Sequence, residues 1–306
     1  QAKGSEITKL IVERFKLQYY GGGGAPTPPP FYFLEQRFAP AVVPCRPSQS
    51  DNSFRNVDKT QRRYYNRSCI QRVRTNARRW TALIAENVKK TLAEIADGNN
   101  LGEKITLVAA TKTRTADEIN EAIEAGVTDI GENKVQEFTE KYDLVHGANR
   151  HFIGHLQTNK VKYLIGKTYL IHSLDRFELA DEIQKRAEKA GWVADCLLEV
   201  NIGSELSKSG FSREEALSAY EKMRAYPNIR LRGLMAMLPL SGDTQYLREL
   251  CLSMRQIYDT IRISDTNAAY LSMGMSGDWR LCAECGSNMI RLGTSLFGPR
   301  NYPAKE

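Results

Sequence analysis

A single lysine at the end of an apolar run is the first residue with the potential for chemistry. Lys112 closes the segment Ile105–Lys112, whose other residues are apolar or β-branched. A lysine removed from water there has a lowered pKa, and its neutral amine attacks carbonyl groups. The alternative is a surface lysine whose stem lies along apolar surface while its charge stays in water. Position alone leaves both interpretations open.

Two later loops have the composition of an anion-binding site. Ser276 follows the seventh apolar segment, where we expect a helix N-cap with free N–H groups behind it. Gly293 lets backbone N–H groups approach an anion closely, and Thr294 adds a hydroxyl donor. Ordinary turn chemistry explains either loop alone. That explanation is weaker when both loops are considered together with Lys112.

No metal site is expected. Cys282 and Cys285 have the spacing of half a zinc site, but no second Cys-x-x-Cys motif completes four ligands. His155 and His172 are more often hydrogen-bonded structural residues than ligands. We therefore expect helix positions for the two cysteines, free thiols for all six cysteines, and no catalytic or metal-binding residues of this kind.

Strand-like and helix-like segments alternate after residue 80. Eight apolar, β-branched runs have strand length: Ile105–Lys112, Thr128–Glu132, His151–Leu156, Thr168–Ser173, Val193–Ile202, Ile229–Leu238, Ala269–Met275 and Met289–Phe297. A helix over Ala82–Ala96 precedes them, and capping boxes predict helices after Thr115, Asp175 and Ser212.

This alternation implies parallel strands with right-handed crossovers. The natural closure is a (β/α)8 TIM barrel, which typically needs about 250 residues. A doubly wound open sheet is the alternative. In a barrel the active site lies at the C-terminal ends of the strands, so the polar residues after each run, Asn133 among them, are site candidates.

The positive charge is confined to the first quarter of the chain. Residues 1–79 contain 15 Lys and Arg against 5 Asp and Glu, a net charge of +10, whereas residues 80–306 have a net charge of −3. Residues 1–79 also contain seven of the eleven prolines and the run Gly21–Gly24. We therefore expect a poorly ordered or irregular N-terminal extension before a barrel domain over residues 80–306. No apolar run reaches the roughly 18 residues of a membrane span, and nucleic acid is not the expected partner of the barrel.

Seven motifs resemble the pyridoxal phosphate homeostasis protein family, whose barrel is similar to the N-terminal domain of alanine racemase. They occur in the family's order between Ala82 and Tyr302: Val108–Lys112, Gly131–Glu137, His151–Lys160, Ser207–Gly210, Arg232–Met235, Ser272–Ser276 and Arg291–Thr294. The first motif has Thr111 where the family usually has serine. Residues 1–79 have no counterpart in the resemblance.

The resemblance implies a pyridoxal 5′-phosphate (PLP) site. Lys112 would form an aldimine with PLP, and Asn133 would lie near its ring. The phosphate would be bound by Ser276, Gly293 and Thr294. Arg291 would face the pyridine nitrogen, and an always-charged guanidinium there disfavours a protonated ring, which weakens the ring as an electron sink.

The expected function is PLP homeostasis without substantial catalysis. The alternative is a single-domain amino-acid racemase or a related aldimine-forming enzyme. A two-base racemase needs a tyrosine from a second domain, and since the sequence ends four residues after Tyr302, we expect no such domain. Apo-PLP enzymes and amino acids are the expected exchange partners, and we expect a cytoplasmic monomer.

Overall fold

The computed structural model describes residues 83–205 and 209–299. The predicted extension over residues 1–79 lies outside these ranges, as do Ser207, Lys208 and Tyr302 of the motifs above.

The described residues contain eight parallel strands that close into a barrel in sequence order. These are β1 (Thr106–Ala110), β2 (Asp129–Glu132), β3 (Asn149–Phe152), β4 (Leu170–Leu174), β5 (Ala194–Val200), β6 (Ile229–Ala236), β7 (Tyr270–Ser272) and β8 (Met289–Leu292). The barrel closes between β1 and β8, where Thr106 is opposite Met289 and Ala109 is opposite Leu292. This confirms the (β/α)8 barrel and excludes the open sheet.

Helices connect the strands on the outside. They are α1 (residues 83–94), α2 (Ala116–Glu124), α3 (Val135–Lys141), α4 (Phe177–Lys189), α5 (Ala216–Met223), α6 (Thr244–Ser264), α7 (Trp279–Glu284) and α8 (Thr294–Phe297), with a 3-10 helix at Thr158–Tyr163 after β3. Thr115 caps α2 with the predicted capping box, in which its side chain and that of Glu118 each accept a backbone N–H.

Burial on both faces explains why most of the strands are rich in apolar residues. Every residue of β2, β4 and β8 is buried, as expected for parallel strands with helices outside and a filled interior. Val108, Leu170, Leu197 and Met289 belong to the apolar cluster in which side chains of opposite strands pack together. The barrel is therefore a packed core with loops at its ends.

Several predicted boundaries were wrong. The first strand ends at Ala110, so Lys112 lies in the following turn, and the last strand ends at Leu292 because residues 294–297 form α8. The predicted cap at Asp175 is also wrong: Arg176 occupies the N-cap position of α4. The Asp175 carboxylate instead contacts Arg176 Nη1 at 2.5 Å and His155 Nδ1 at 3.1 Å, and a hydrogen bond from the charged Arg176 is stronger than one from a backbone amide.

Among residues 83–205 and 209–299, no helix combines the length and the apolar character that crossing a bilayer requires.

Candidate functional site at the C-terminal end of the barrel

The predicted site residues follow four strands that are consecutive around the barrel. Lys112 and Asn133 come after β1 and β2, Ser276 comes after β7, and β8 supplies Arg291 and then Gly293 and Thr294. Since β7, β8, β1 and β2 are neighbours in the closed sheet, the structure brings these six residues to one sector of the same end of the barrel. We call this end the C-terminal rim.

The turn that contains Lys112 is tightly constrained. Lys112 is half-buried, and the next residue, Thr113, has a φ of 65°, which is uncommon for a residue with a branched side chain. The Thr113 N–H donates a hydrogen bond of 2.7 Å to Glu137 Oε2. Such a strained residue persists only where its surroundings determine it, and it often marks a functional turn.

Lys141 holds the other side of this turn. Its Nζ donates to Thr111 O at 3.0 Å, to Glu132 Oε1 at 2.7 Å and to Glu137 Oε2 at 2.9 Å. Thr111 Oγ1 also donates to Glu132 Oε1 at 2.7 Å. The backbone on either side of Lys112 is therefore tied to one buried ion cluster. We call Glu132, Glu137 and Lys141 the Lys141 cluster; the sequence analysis missed its role.

Arg291 is buried and makes three hydrogen bonds in the barrel interior. Its Nη1 donates to Ser272 O at 2.9 Å and to Ser272 Oγ at 2.6 Å, and its Nη2 donates to Ala236 O at 2.9 Å. Burial lowers the pKa of Arg291, while the nearby Glu199 carboxyl opposes that change. A guanidinium has so high an intrinsic pKa that Arg291 remains a fixed positive charge under the rim.

Ser276 lies against the start of α8 and not at the start of α7. The predicted N-cap was wrong, because Asp278 occupies that position. Ser276 Oγ instead accepts long hydrogen bonds from the N–H groups of Gly293, at 3.4 Å, and Ser295, at 3.3 Å. Bonds of this length are weak, so these amides together with the Ser276 hydroxyl form a set of donors that an anion can bind.

The two glycines near this donor set have different requirements. Gly274 has a φ of 109°, and a Cβ there would lie 2.9 Å from Trp279 Cα, so the loop after β7 needs glycine. A Cβ at Gly293 would meet Ala110 only at ordinary contact distances of 3.4 and 3.5 Å. Neither the backbone nor the described neighbours demand glycine at 293, which is consistent with a ligand approaching the backbone there.

Asn133 presents a buried acceptor to the same sector. Its Oδ1 is buried and has no hydrogen-bond partner among the described residues. A Cβ at Gly154 would lie 2.1 Å from Asn133 O, so the loop after β3 passes directly against Asn133. A buried amide oxygen without a partner costs free energy unless a ligand or water satisfies it.

A line of polar side chains crosses the barrel interior beneath Arg291. His151 Nε2 lies 3.0 Å from Asp129 Oδ1, His151 Nδ1 lies 2.9 Å from His172 Nε2, and His172 Nδ1 lies 3.2 Å from Ser272 Oγ. His172 is therefore the hydrogen-bonded structural histidine that was predicted. The roles of Asp129, His151 and Ser272 were missed, and the only sequence signal was polar residues within otherwise apolar strands.

His155 and the cysteines lie apart from this line. His155 is exposed on the rim, where Nδ1 contacts Asp175 and Ser209 Oγ at 3.2 Å. Cys282 lies in α7 and Cys285 caps its end, as predicted. In the described part of the chain, no group of three or more His, Cys, Asp or Glu is arranged to hold a metal ion.

Comparison with known proteins agrees with the fold. The family model for the alanine racemase N-terminal domain matches residues 82–301. The pyridoxal phosphate homeostasis protein of Aquifex aeolicus is 41% identical over 223 residues, which cover 72% of this chain and 96% of that protein. The protein of the same name from Escherichia coli strain K12 is 36% identical over 210 residues, covering 66% of this chain and 89% of that protein.

Solved structures show the same barrel. PipY of Synechococcus elongatus, solved with PLP bound, superposes with a TM-score of 0.60 at 30% identity, covering 70% of this chain and 100% of that chain. Alanine racemase of Clostridium difficile, in complex with cycloserine, superposes with a TM-score of 0.60 at 16% identity, covering 73% and 60% of the two chains, and shows the fold alone.

The closed barrel and the family model thus define an alanine racemase N-terminal-like protein. Within that class, the chain belongs to the pyridoxal phosphate homeostasis protein family.

Proposed function

We propose that this chain binds PLP through a Schiff base on Lys112 and serves PLP homeostasis without substantial catalysis. The observation that best supports the proposal is the convergence of Lys112, an anion-donor set and a fixed arginine on four consecutive strands. The relatives named above are pyridoxal phosphate homeostasis proteins, and PipY was solved with PLP bound.

The residues of the rim fit such a cofactor. Asn133 Oδ1 is a buried acceptor without a described partner, and the space beside Gly293 admits a group close to the backbone. PLP supplies an aldehyde that condenses with an amine, and a phosphate that seeks N–H and hydroxyl donors. These are the two chemical features for which Lys112 and the donor set at Ser276 are suited.

Each site residue has a distinct proposed task. Lys112 supplies the amine, and the Lys141 cluster holds its turn in place. Ser276, Gly293 and Thr294 bind the phosphate through hydroxyl and backbone N–H groups. Asn133 orients the ring, and Arg291 faces the pyridine nitrogen, where its fixed charge disfavours protonation of the ring.

An arginine at the pyridine nitrogen supports the proposed lack of substantial catalysis but does not require it, because racemisation is possible with such an arginine. An arginine at the pyridine nitrogen keeps the ring a weak electron sink, so removal of a proton from a bound amino acid is poorly supported. Solvent deuterium exchange at the α-carbon of several amino acids tests this part of the proposal. Exchange at ordinary enzymatic rates would identify the chain as a single-domain racemase or related enzyme instead.

Binding itself is tested by absorption and reduction. The full chain mixed with PLP should develop the absorption band of a protein-bound Schiff base. Borohydride should reduce that Schiff base to a stable amine, so that the cofactor stays attached to the protein. Lys112→Ala should lose essentially all of this fixed cofactor, since it removes the amine to which the proposal assigns the Schiff base. Lys134→Ala, which removes an exposed lysine at the start of α3, is the matched control and should behave as wild type. Equal fixation by the Lys112→Ala variant would contradict the proposal.

We further propose that the loaded protein is a cytoplasmic monomer that exchanges PLP with apo-enzymes and amino acids. Light scattering measures the oligomeric state. Transfer of PLP is measured by adding the PLP-loaded wild type, or the same protein after borohydride reduction, to an apo-PLP enzyme and comparing the enzyme activity that results. The reduced protein should give no activation, because its cofactor can no longer leave.

A further inference from the structure

The polar line in the barrel interior has two charged ends that determine its direction. At one end Arg291 can only donate hydrogen bonds, so Ser272 Oγ accepts from it at 2.6 Å. At the other end Asp129 accepts hydrogen bonds. Burial acts to raise the pKa of Asp129, but hydrogen bonds from His151, Thr128 and Asn149 outweigh burial and lower that pKa. Asp129 is therefore ionised and can only accept.

These two ends assign a single tautomer to each histidine between them. His151 Nε2 must donate to Asp129, so in a neutral His151 the Nδ1 atom accepts from His172 Nε2. The remaining His172 Nδ1 then accepts the hydroxyl proton of Ser272. Every donor thus finds one acceptor along the line from Arg291 to Asp129.

The opposite direction adds a proton and a charge to the line. It would require His151 or His172 to carry a second proton inside the barrel, where Arg291 is already a cation. Burial lowers the pKa of His172 well below its usual value, and the positive charge of Arg291 lowers it further. His172 is also completely buried, so a ring nitrogen left without a hydrogen bond there would be costly.

The line joins strands that are not neighbours. His172 lies on β4 and Ser272 on β7, and these strands meet only across the interior of the barrel. Hydrogen bonds in a buried series polarise one another, so the negative end at Asp129 makes Ser272 Oγ a better acceptor for the Arg291 guanidinium.

We propose that Asp129, His151, His172 and Ser272, with both histidines neutral, form a relay of fixed direction that positions the Arg291 guanidinium from below. His172 and Ser272 are positioning residues, since they act through Arg291. The consequence for the cofactor rests on the proposed function, in which Arg291 faces the pyridine nitrogen. The relay itself concerns only residues of this chain.

The chain offers a close control. Ser173 is a buried serine beside His172, and its Oγ has no hydrogen-bond partner among the described residues. Ser272→Ala removes the hydroxyl between His172 and Arg291 but keeps the backbone carbonyl to which Arg291 also donates. Ser173→Ala removes a buried hydroxyl of the same size from the adjacent residue of β4, without cutting the relay.

Nitrogen-15 spectra of the full-length protein without cofactor test the relay directly. The chain has four histidines, and His151 and His172 should both have the proton on Nε2. Ser272→Ala should move the nitrogen-15 chemical shift of His172 Nδ1 toward that of an unprotonated ring nitrogen that accepts no hydrogen bond. It should also average the separate Nη signals of Arg291. Ser173→Ala should change neither. A proton on His172 Nδ1 in wild type would overturn the relay even if no variant folds.

Cofactor retention tests the consequence. Ser272→Ala should release PLP about tenfold faster than wild type, the effect of about one ordinary hydrogen bond, and Ser173→Ala should release it at the wild-type rate. If Ser272→Ala shifted the histidine signals but released PLP at the wild-type rate, positioning by the relay would be overturned. Faster release of PLP with unchanged histidine signals would overturn it as well. If wild type bound no PLP, the proposed function would fail, while the histidine and Arg291 signals would still decide the relay.

Discussion

Lys141 is the single residue on which the geometry around Lys112 most depends. Its ammonium joins the carbonyl before Lys112 to two carboxylates, and one of those, Glu137, binds the amide after Lys112. Burial raises the pKa of Glu132, although hydrogen bonds from Lys141 and Thr111 oppose the change. Glu132 therefore tolerates its buried position only while Lys141 is present.

Replacement of Lys141 should thus destabilise the barrel more than a surface change. We expect Lys141→Met to lower the free energy of unfolding by about 3 kcal/mol, because a buried carboxylate loses its partner. The double variant Glu132→Gln/Lys141→Met should recover part of this loss. Urea unfolding measures both, with the exposed Lys134→Met expected to stay within about 0.5 kcal/mol of wild type. A similar small loss in Lys141→Met would show that the cluster is not needed.

At the scale of elements, Glu103 ties the segment before β1 to helix α6. Its carboxylate accepts from Arg255 at 2.8 and 3.1 Å and from Arg262 at 2.6 Å. Burial acts to raise the pKa of Glu103, but the hydrogen bonds and charge of Arg255, with help from Asn99 and Arg262, lower it from 4.5 to about 2. This link fixes the end of the barrel opposite the rim.

The link should be sensitive to acid. A carboxyl whose pKa is lowered by folding stabilises the protein above its ordinary pKa, and this stabilisation is lost as the pH falls from about 4.5 to about 2. Glu103→Gln should therefore lower the unfolding free energy at pH 7 by about 2 kcal/mol, and the difference from wild type should shrink below pH 4.5. Thermal unfolding across this range is the measurement. Glu284→Gln, at an exposed ion pair with Arg248, is the control, and a difference constant with pH would contradict the assignment.

The elements also show how far sequence reasoning reaches. The alternation of apolar runs and capping signals predicts the barrel and its rim, because these depend on local patterns such as the Thr115 box. The relay was not predictable, since Asp129 and Ser272 are far apart in sequence and meet the histidines only after the barrel closes. The predicted cap at Asp175 was wrong for a similar reason: the side chains of Arg176 and His155, the second of them distant in sequence, compete with the local backbone.

At the scale of the whole molecule, the net charge of +7 averages two unlike parts, with +10 in residues 1–79 and −3 in residues 80–306. The barrel needs positive charge only at the phosphate donors and at Arg291. The Aquifex aeolicus relative matches over 96% of its own length while covering 72% of this chain, which supports a barrel that functions without residues 1–79.

Deletion of residues 1–79 should leave cofactor binding within about twofold of the full chain, because the site residues all lie after residue 110. Any binding of nucleic acid by the full chain should be salt-dependent and should disappear in the shortened chain. Titration of both chains with PLP, and with a DNA duplex at two salt concentrations, measures this. Loss of PLP binding on deletion would show that the extension contributes to the site.

The most direct test of the central claim is the identity of the residue that holds the cofactor. The full chain is mixed with PLP, reduced with borohydride, digested and sequenced by mass spectrometry. We predict one modified peptide, with the added mass on Lys112. The same mass on Lys141 or another lysine, or spread over several lysines, would contradict the account.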